Sequence, residues 1–500
     1  MNTSMNIESE RKSSAQSFSA KKRKELAISL LSKQENISEL GRKNKVSRRF
    51  LYKNAKIGER ALEHVYSNQE KSDDEVLFYL PITKNRIRQI VLVLTLVCHA
   101  PFRGIQYFFE TIFDFSISLG TIHNIHQSAI PKARLINQEQ DLKEIRAGAH
   151  DEIYQGRFPV LVGVDLDSTY CYLLSKEEHC DENTWGVHLL ELEERQKLSP
   201  EYIIADFGKG LRAGHKEVWS SMECRGDIFH SIYDLRKLCR FLHKKATDSR
   251  AKRKILEKRM ERKKRRGEGR ELSAKLGHQR MLEKEAMRLS EDIAVLSEWM
   301  RKDVLTLFGP SHEERTQMYI FLVEELKRLE PECSHRIRPI RVLLENNREE
   351  LLFFSEEIDK KILKLANQNK MLVADIFDVI KTMSLETDST VRWCREAEHY
   401  EKFGVEEYDL LCTSIETILY SIHRASSMVE NLNGRLRNYF FLRRQLGNDY
   451  LCLLQFYLNH QKYKRSAHKK RVGKSPKELL TGEKHPHWLE LLGFTLFKLS

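Results

Sequence analysis

Three acidic residues stand where a carboxylate could do chemistry. Asp151 lies in HDEIY, inside a β-rich run. Asp206 follows a short apolar run in IIADFGKGL. Glu430 lies in VENLNGRLR, in a segment of helical period. An acid at the carboxyl end of a buried strand projects where open α/β sheets bind ligands, although strand-end aspartates are also common turn formers. If one helix runs unbroken over 428–445, Glu430, Asn433, Arg437 and Arg444 share a face, with Leu432, Leu436, Tyr439 and Arg443 roughly opposite. An acid among arginines suits a carboxylate beside a phosphate backbone, or a solvent stripe with a salt bridge. Three carboxylates brought together select Mg2+ or Mn2+ over zinc. Two such ions, about 3.5–4 Å apart, activate a water or a 3′-hydroxyl and stabilise the leaving oxygen of a phosphodiester. Asp165 and Asp167, in VGVDLDS, compete with Asp151 as first acid; Glu345, in RVLLENNREELL, competes with Glu430.

These acids need a sheet to position them. From Ile145 the pattern turns to strands: AGAHDEIYQ, a turn at Gly156, FPVLVGVDLD, then TYCYLLSKEE. ENTWGVHLLELEERQKL reads as a helix, EYIIADF as a buried strand, KGLRAGHKEVWSSM as a helix, and ECRGDIFHSI as a short strand and loop. Three antiparallel-type strands, a helix, a strand, a helix and a strand match the order of an RNase H-like fold.

Residues 236–425 are nearly all helical by pattern. Ile376, Val379, Ile380 and Met383 recur at helical spacing, so this block can bury a core of its own. Over 251–270, 11 of 20 residues are Lys or Arg, Lys263, Lys264, Arg265 and Arg266 among them. So dense a like-charge run is a solvated helix or a DNA-tracking surface. Trp393 reads as a core aromatic or as a stacking partner for a flipped base.

The N-terminal stretch 19–66 has helix-turn-helix spacing, with Ile37, Leu40 and Val46 apolar and Ser47 placed to cap the next helix. Phe50 and Leu51 then face inward, leaving Arg48, Arg49, Tyr52 and Lys53 outward on a recognition-type helix or on a plain solvated face. A second helix-turn-helix-like unit is expected over 75–140, with Ser118 capping its last helix; it suits DNA reading or a dimerisation bundle.

Lys and Arg outnumber Asp and Glu by 85 to 72, a formal charge of +13, which favours a polyanion partner. Only 10 prolines and 22 glycines in 500 residues exclude collagen-like, mucin-like and Pro/Gly-rich disordered classes and favour a helical protein. Nine scattered cysteines without a C-x-x-C pair argue for a reducing compartment, against a disulfide framework or structural zinc. The apolar run 90–97 is too short to span a bilayer. The polar start MNTSMNIESERKSSAQS reads as a disordered tail, not a signal peptide.

Taken together, HDEIY, a strand ending GVD, IIADFGKGL, CRGDIFH and VENLNGRLR resemble a DDE transposase of insertion-sequence type. The resemblance puts the first acid at Asp151, with Asp165 as the alternative, the second at Asp206 and the third at Glu430. FYLNHQKYKRSAHKKRVGKSPKELL is similar to the segment that closes many such catalytic domains. DIFH resembles the C/D-x-x-H signature of Mutator-like and hAT-like transposases, which implies supporting roles for Asp227 and His230. Those families carry a helical insertion before the final acid, as the 224-residue spacing from Asp206 to Glu430 requires.

The resulting expectation is an α/β RNase H-like catalytic core with N-terminal all-α helix-turn-helix units and a large all-α insertion. The segments are a disordered tail (1–18), the two helix-turn-helix units (19–66 and 75–140), a first core segment (141–240), the insertion (241–415), a second core segment (416–465) and a C-terminal tail (466–500). Asp151, Asp206 and Glu430 would hold two Mg2+, with Mn2+ able to substitute, and Asn433 and Arg437 would support them. Partners would be double-stranded DNA, as element ends and target, and a second copy of the chain. The expected location is cytoplasmic, on the bacterial nucleoid. A metal-dependent nuclease without strand transfer, and a transposase-derived DNA-binding regulator, are the alternatives.

Overall fold

In a computed structural model of the chain, the described residues are 18–66, 78–265, 270–442 and 446–497. The expected tail up to residue 17, Arg266, Arg443 and Arg444 lie outside them. The described residues divide into two compact units between Thr83 and Lys84.

The first unit holds α1 (Ala20–Leu31), α2 (Ile37–Asn44) and α3 (Arg48–Tyr66). Ser19 and Asn36 cap α1 and α2 through their side chains. Ser47 Oγ accepts from Phe50 N at the start of α3, the cap expected there. Leu26, Leu40 and Leu51 form the small core. Arg48, Arg49, Tyr52 and Lys53 are all exposed.

The second unit opens with α4 (Lys84–Leu96), α5 (Phe102–Phe113) and α6 (Leu119–Gln138), and Ser118 caps α6 as its position suggested. These helices are a layer on the sheet, not a separate domain. Their Leu92, Ile105, Phe109 and Ile122 share one core with sheet residues Ala149, Ile153 and Val162.

The sheet contains β1 (Ala147–Gln155), β2 (Phe158–Asp165), β3 (Cys171–Lys176), β4 (Tyr202–Ala205) and β5 (Glu223–Gly226), in the order β3-β2-β1-β4-β5. β1 pairs antiparallel with β2, and β2 with β3; β1 and β4, and β4 and β5, run parallel. Helical crossovers α7 (Glu182–Gln196) and α8 (Lys209–Val218) connect the parallel strands. Alternation along β1 puts Ala149, Asp151 and Ile153 on one face and Gly148, His150 and Glu152 on the other. On the second face, Trp185 of α7 stacks on His150 and donates to Glu152. Tyr172 crosses close over Gly148 and Gly163, where a side chain would collide, and its hydroxyl reaches His150.

The helical block follows: α9 (Ile228–Lys264), α10 (Arg270–Trp299), α11 (His312–Leu329), α12 (Ser334–Asn346), α13 (Arg348–Asn369), α14 (Val373–Met383), α15 (Thr390–Phe403) and α16 (Val405–Tyr420). It has its own core, in which Ile376, Val379 and Ile380 are buried and Met383 packs at the edge, as their spacing implies. The block starts at Ile228, earlier than 241. The stretch IFHSI, read as a loop, is the first turn of α9, because Asp227 caps it.

The chain then returns to the sheet through α17 (Ser427–Leu442) and α18 (Asn448–His460). Residues 466–497 are not a loose tail. A capping box at Ser475 starts α19 (Pro476–Thr481), and α20 (Trp488–Leu491) brings Trp488 and Leu489 into the sheet's core. Few but large apolar side chains anchor this segment, so its mixed composition concealed the packing. No described helix is long and apolar enough to cross a membrane.

Candidate metal centre

Asp151 occupies the middle of β1, on the face that α17 covers. Its carboxylate is fixed at both oxygens: Glu152 N donates to Oδ1 (2.8 Å) and Asn433 Nδ2 to Oδ2 (2.6 Å). Glu430 lies in the first turn of α17, one turn before Asn433. Helical spacing therefore delivers an acid and an amide to the same spot, while Val429, Leu432 and Leu436 bury the other side. Arg437 Nη2 stands 3.6 Å from Glu430 Oε2, largely exposed, in a pairing of small energy.

Among the described residues, the ligand atoms that gather within 4.8 Å of one another are those of Asp151, His230 and Glu430. The sequence led us to expect Asp206 in this trio. Asp206 lies beside it instead. His150 and Ala205 are partners across the parallel β1–β4 pair, so Asp151 and Asp206 follow side by side. Asp206 Oδ1 accepts from Gly208 N (2.9 Å), turning the chain into α8. Its charge still acts on Asp151 and His230.

His230 takes its position from Asp227. This fully buried carboxylate accepts from Phe229 N (2.9 Å), Ser426 N (3.0 Å), Ser426 Oγ (2.5 Å) and His230 Nδ1 (2.6 Å). It thus caps α9 and also holds the residue that precedes α17. The two ends of the helical block are pinned together by one side chain, and His230 Nε2 is left 3.8 Å from Glu430 Oε1.

Burial pushes the Asp227 carboxyl up, but the hydrogen bonds from His230 and Ser426 outweigh it and leave it below its usual value. The same bond raises His230 to about 9, against burial and with help from Asp151 and Asp206, so its imidazole is protonated at neutral pH. Asp151 is raised to about 7, first by burial and further by Glu430 and Asp206, while His230 and the Glu152 amide oppose the shift. Two carboxylates crowded together need positive charge between them. The buried Asn433 Oδ1 has no hydrogen-bond partner among the described residues. An orphaned carbonyl beside two carboxylates fits a hydrated hard cation such as Mg2+ or Mn2+.

The rival acids have other roles. Asp165 ends β2 opposite Gly148, near the start of β1, and its Oδ2 accepts from Ser168 N and Ser168 Oγ in the β2–β3 turn. Asp167 pairs with His423 (3.4 Å), and Glu345 with Arg341 in the helical block. Trp393 is exposed, so the core reading for it fails. Lys263, Lys264 and Arg265 are exposed at the far end of α9. Ser426 and the double capping by Asp227 escaped sequence reading. The signal was present: an Asp directly before the periodic Ile228, Leu235, Leu238 and Leu242 marks a helix start.

Compared with known proteins, the chain matches no family model and no curated sequence.

Proposed function

We propose that this chain is a DDE transposase: an RNase H-like polynucleotidyl transferase that binds double-stranded element ends, cuts them and joins them to target DNA. The observation that carries the reading is the meeting of Asp151 and Glu430 beside Asp206, across a helical block inserted between the second and third acids. The strand order, three antiparallel strands followed by two parallel ones, supports it.

In this reading Asp151, Asp206 and Glu430 hold two Mg2+, or Mn2+ in their place, and the ions supply activation of a water or 3′-hydroxyl and of the leaving oxygen. Asn433 and the Glu152 amide fix the orientation of Asp151. His230, oriented by Asp227, sets a proton and a positive charge beside Glu430. Arg437, exposed next to Glu430, is placed to meet a phosphate. Arg48, Arg49, Tyr52 and Lys53 read the element ends, Lys263, Lys264 and Arg265 contact flanking DNA, and a second copy pairs the ends.

The test uses DNA carrying the inverted repeats that flank the gene. Wild-type chain with Mg2+ or Mn2+ should nick these ends and join them to a target. Asp206→Asn should bind the ends and leave them uncut. Cutting without joining would make the chain a nuclease of the same fold. Binding with no cutting by the wild type under either metal would make it a regulator.

A further inference from the structure

α9 begins at the candidate centre and runs away from it for 37 residues, about 55 Å at 1.5 Å per residue. Its buried side is set by Ile228, Leu235, Leu238, Leu242 and Ala246. At 100° per residue, the opposite side carries Phe229, Tyr233, Arg236, Lys237, Arg240, Lys244, Thr247, Asp248, Ala251, Lys254, Ile255, Lys258, Arg262 and Arg265. Every one of these is exposed, and Asp248 is the one acid among eight cations.

Two acids and three arginines of the hairpin pair with one another across its seam. Arg250 and Arg253 turn to Glu283 of α10, and Arg253 and Arg280 to Glu257. By contrast, Lys237 is the only cation of the solvent-facing stripe in an ion pair among the described residues, with Asp234 (3.3 Å). A merely solvated helix would interleave acids and cations in nearly equal number on this face.

The stripe starts with two aromatic rings next to His230. Phe229 and Tyr233 lie parallel, 7° apart in plane with centroids 6.3 Å apart, and both are exposed. Lys237 Nζ sits 4.4 Å from the Tyr233 centroid. Exposed parallel rings in a cationic setting offer a π-face to a base. Only an unpaired base can take it, because in a duplex each base face is covered by its neighbours.

We propose that this face of α9 is the track of a single nucleic-acid strand, with an unpaired base beside the scissile phosphate stacked on Phe229 and Tyr233. The inference rests on the transposase reading and adds the form of its substrate: DNA that is unpaired where it meets the metal centre. The basic stripe carries the phosphates of that strand outward.

The experiment measures binding of the full chain to a fluorescent single strand of about 20 nucleotides and to its duplex, across a salt series without metal. A 2-aminopurine in the strand reports stacking. Wild type should bind the single strand and quench its 2-aminopurine, and leave the same base unquenched in the duplex. Phe229→Ala with Tyr233→Ala should weaken single-strand binding by about 5- to 150-fold, the range for one lost base–aromatic stack. Duplex binding should stay as it was, and Tyr233→Phe should bind as wild type. Lys254→Ala, Lys258→Ala and Arg262→Ala together should flatten the single-strand salt slope by about 2, at about 0.7 per phosphate.

Unchanged single-strand affinity in the double aromatic variant would overturn the proposal, as would a wild type that leaves the 2-aminopurine of the single strand unquenched. The functional reading fails separately. A chain that stacks the base but never cuts DNA with Mg2+ or Mn2+ keeps this inference and loses transposition. A chain that cuts and joins without stacking does the reverse.

Discussion

Replacing Asp227 with alanine tests the junction on which the candidate centre depends. The carboxylate is fully buried and accepts four hydrogen bonds, from Phe229, His230 and twice from Ser426. Hydrogen bonds to a charged group are worth about 1.5–3 kcal/mol each, but they do not add when they share one acceptor. Removing one partner of a buried charged set costs about 3–5 kcal/mol. We therefore expect Asp227→Ala to lose about 3–5 kcal/mol, a large share of the roughly 5–15 kcal/mol that holds a domain together. Asp227→Asn keeps an acceptor for the Phe229 and Ser426 amides and should lose about 1–2 kcal/mol. All 5 tryptophans lie in the second unit, so tryptophan fluorescence in a urea titration reads that unit alone. Amide exchange adds the local view: the amides of Phe229 and Ser426 should open first in Asp227→Ala. A loss below about 1 kcal/mol, with both amides still protected, would refute the junction as described.

Other outcomes follow from the same geometry. Burial lowers His215 to about 3, so the unfolded chain binds its proton more readily below the ordinary value of 6.5; stability is complete above that pH and falls with acidification, by about 2 kcal/mol between pH 6.5 and 5 for this residue. His215→Asn should remove that share of the acid sensitivity in urea titrations at the two pH values. Alanine at Gly148 would drive a Cβ into Tyr172 Oη and to 2.5 Å from Ile203 Cδ1; the unfolding midpoint should drop by an amount equivalent to about 1–3 kcal/mol. Mn2+ binding, followed by calorimetry or by the metal's magnetic resonance signal, should fall at least tenfold in Glu430→Gln and in Asn433→Ala, with far-ultraviolet circular dichroism unchanged.

The sheet was legible because its signals are local. Alternation in β1 and β2, a four-residue apolar run for β4 and helical spacing in α7 and α8 each fit within a few residues, and the structure has those elements in that order. Glu430 and Asn433 were legible for the same reason, as neighbours on one helical face. What escaped is non-local. Asp165 and Asp151 look alike in sequence; only the antiparallel register puts Asp165 opposite Gly148 at the start of β1 and leaves Asp151 at mid-strand. The helices over 84–138 have the spacing of an independent bundle, yet their apolar faces are completed by the sheet and by α17 and α18 from far along the chain. Trp488 and Leu489 reveal their burial only through that same core.

The Asp227 junction shows why the centre itself was read incompletely. In sequence, Asp227 and His230 are separated from Glu430 by the entire helical block, and nothing in either segment encodes the other. In the fold, two ordinary helix starts meet. Asp227 caps α9, Ser426 precedes α17, and one carboxylate satisfies the donors of both. First-turn residues of two such helices must then lie close together, which is why His230 and Glu430 face each other at 3.8 Å. The ends of the helical block are held by hydrogen bonds to Asp227, and its buried core comes from α9 to α16 and the turns beside them, with Phe207 from the turn after β4 packed against it. A chain built this way can add a cationic arm such as α9 while the acids stay on the sheet and on the helix that returns to it.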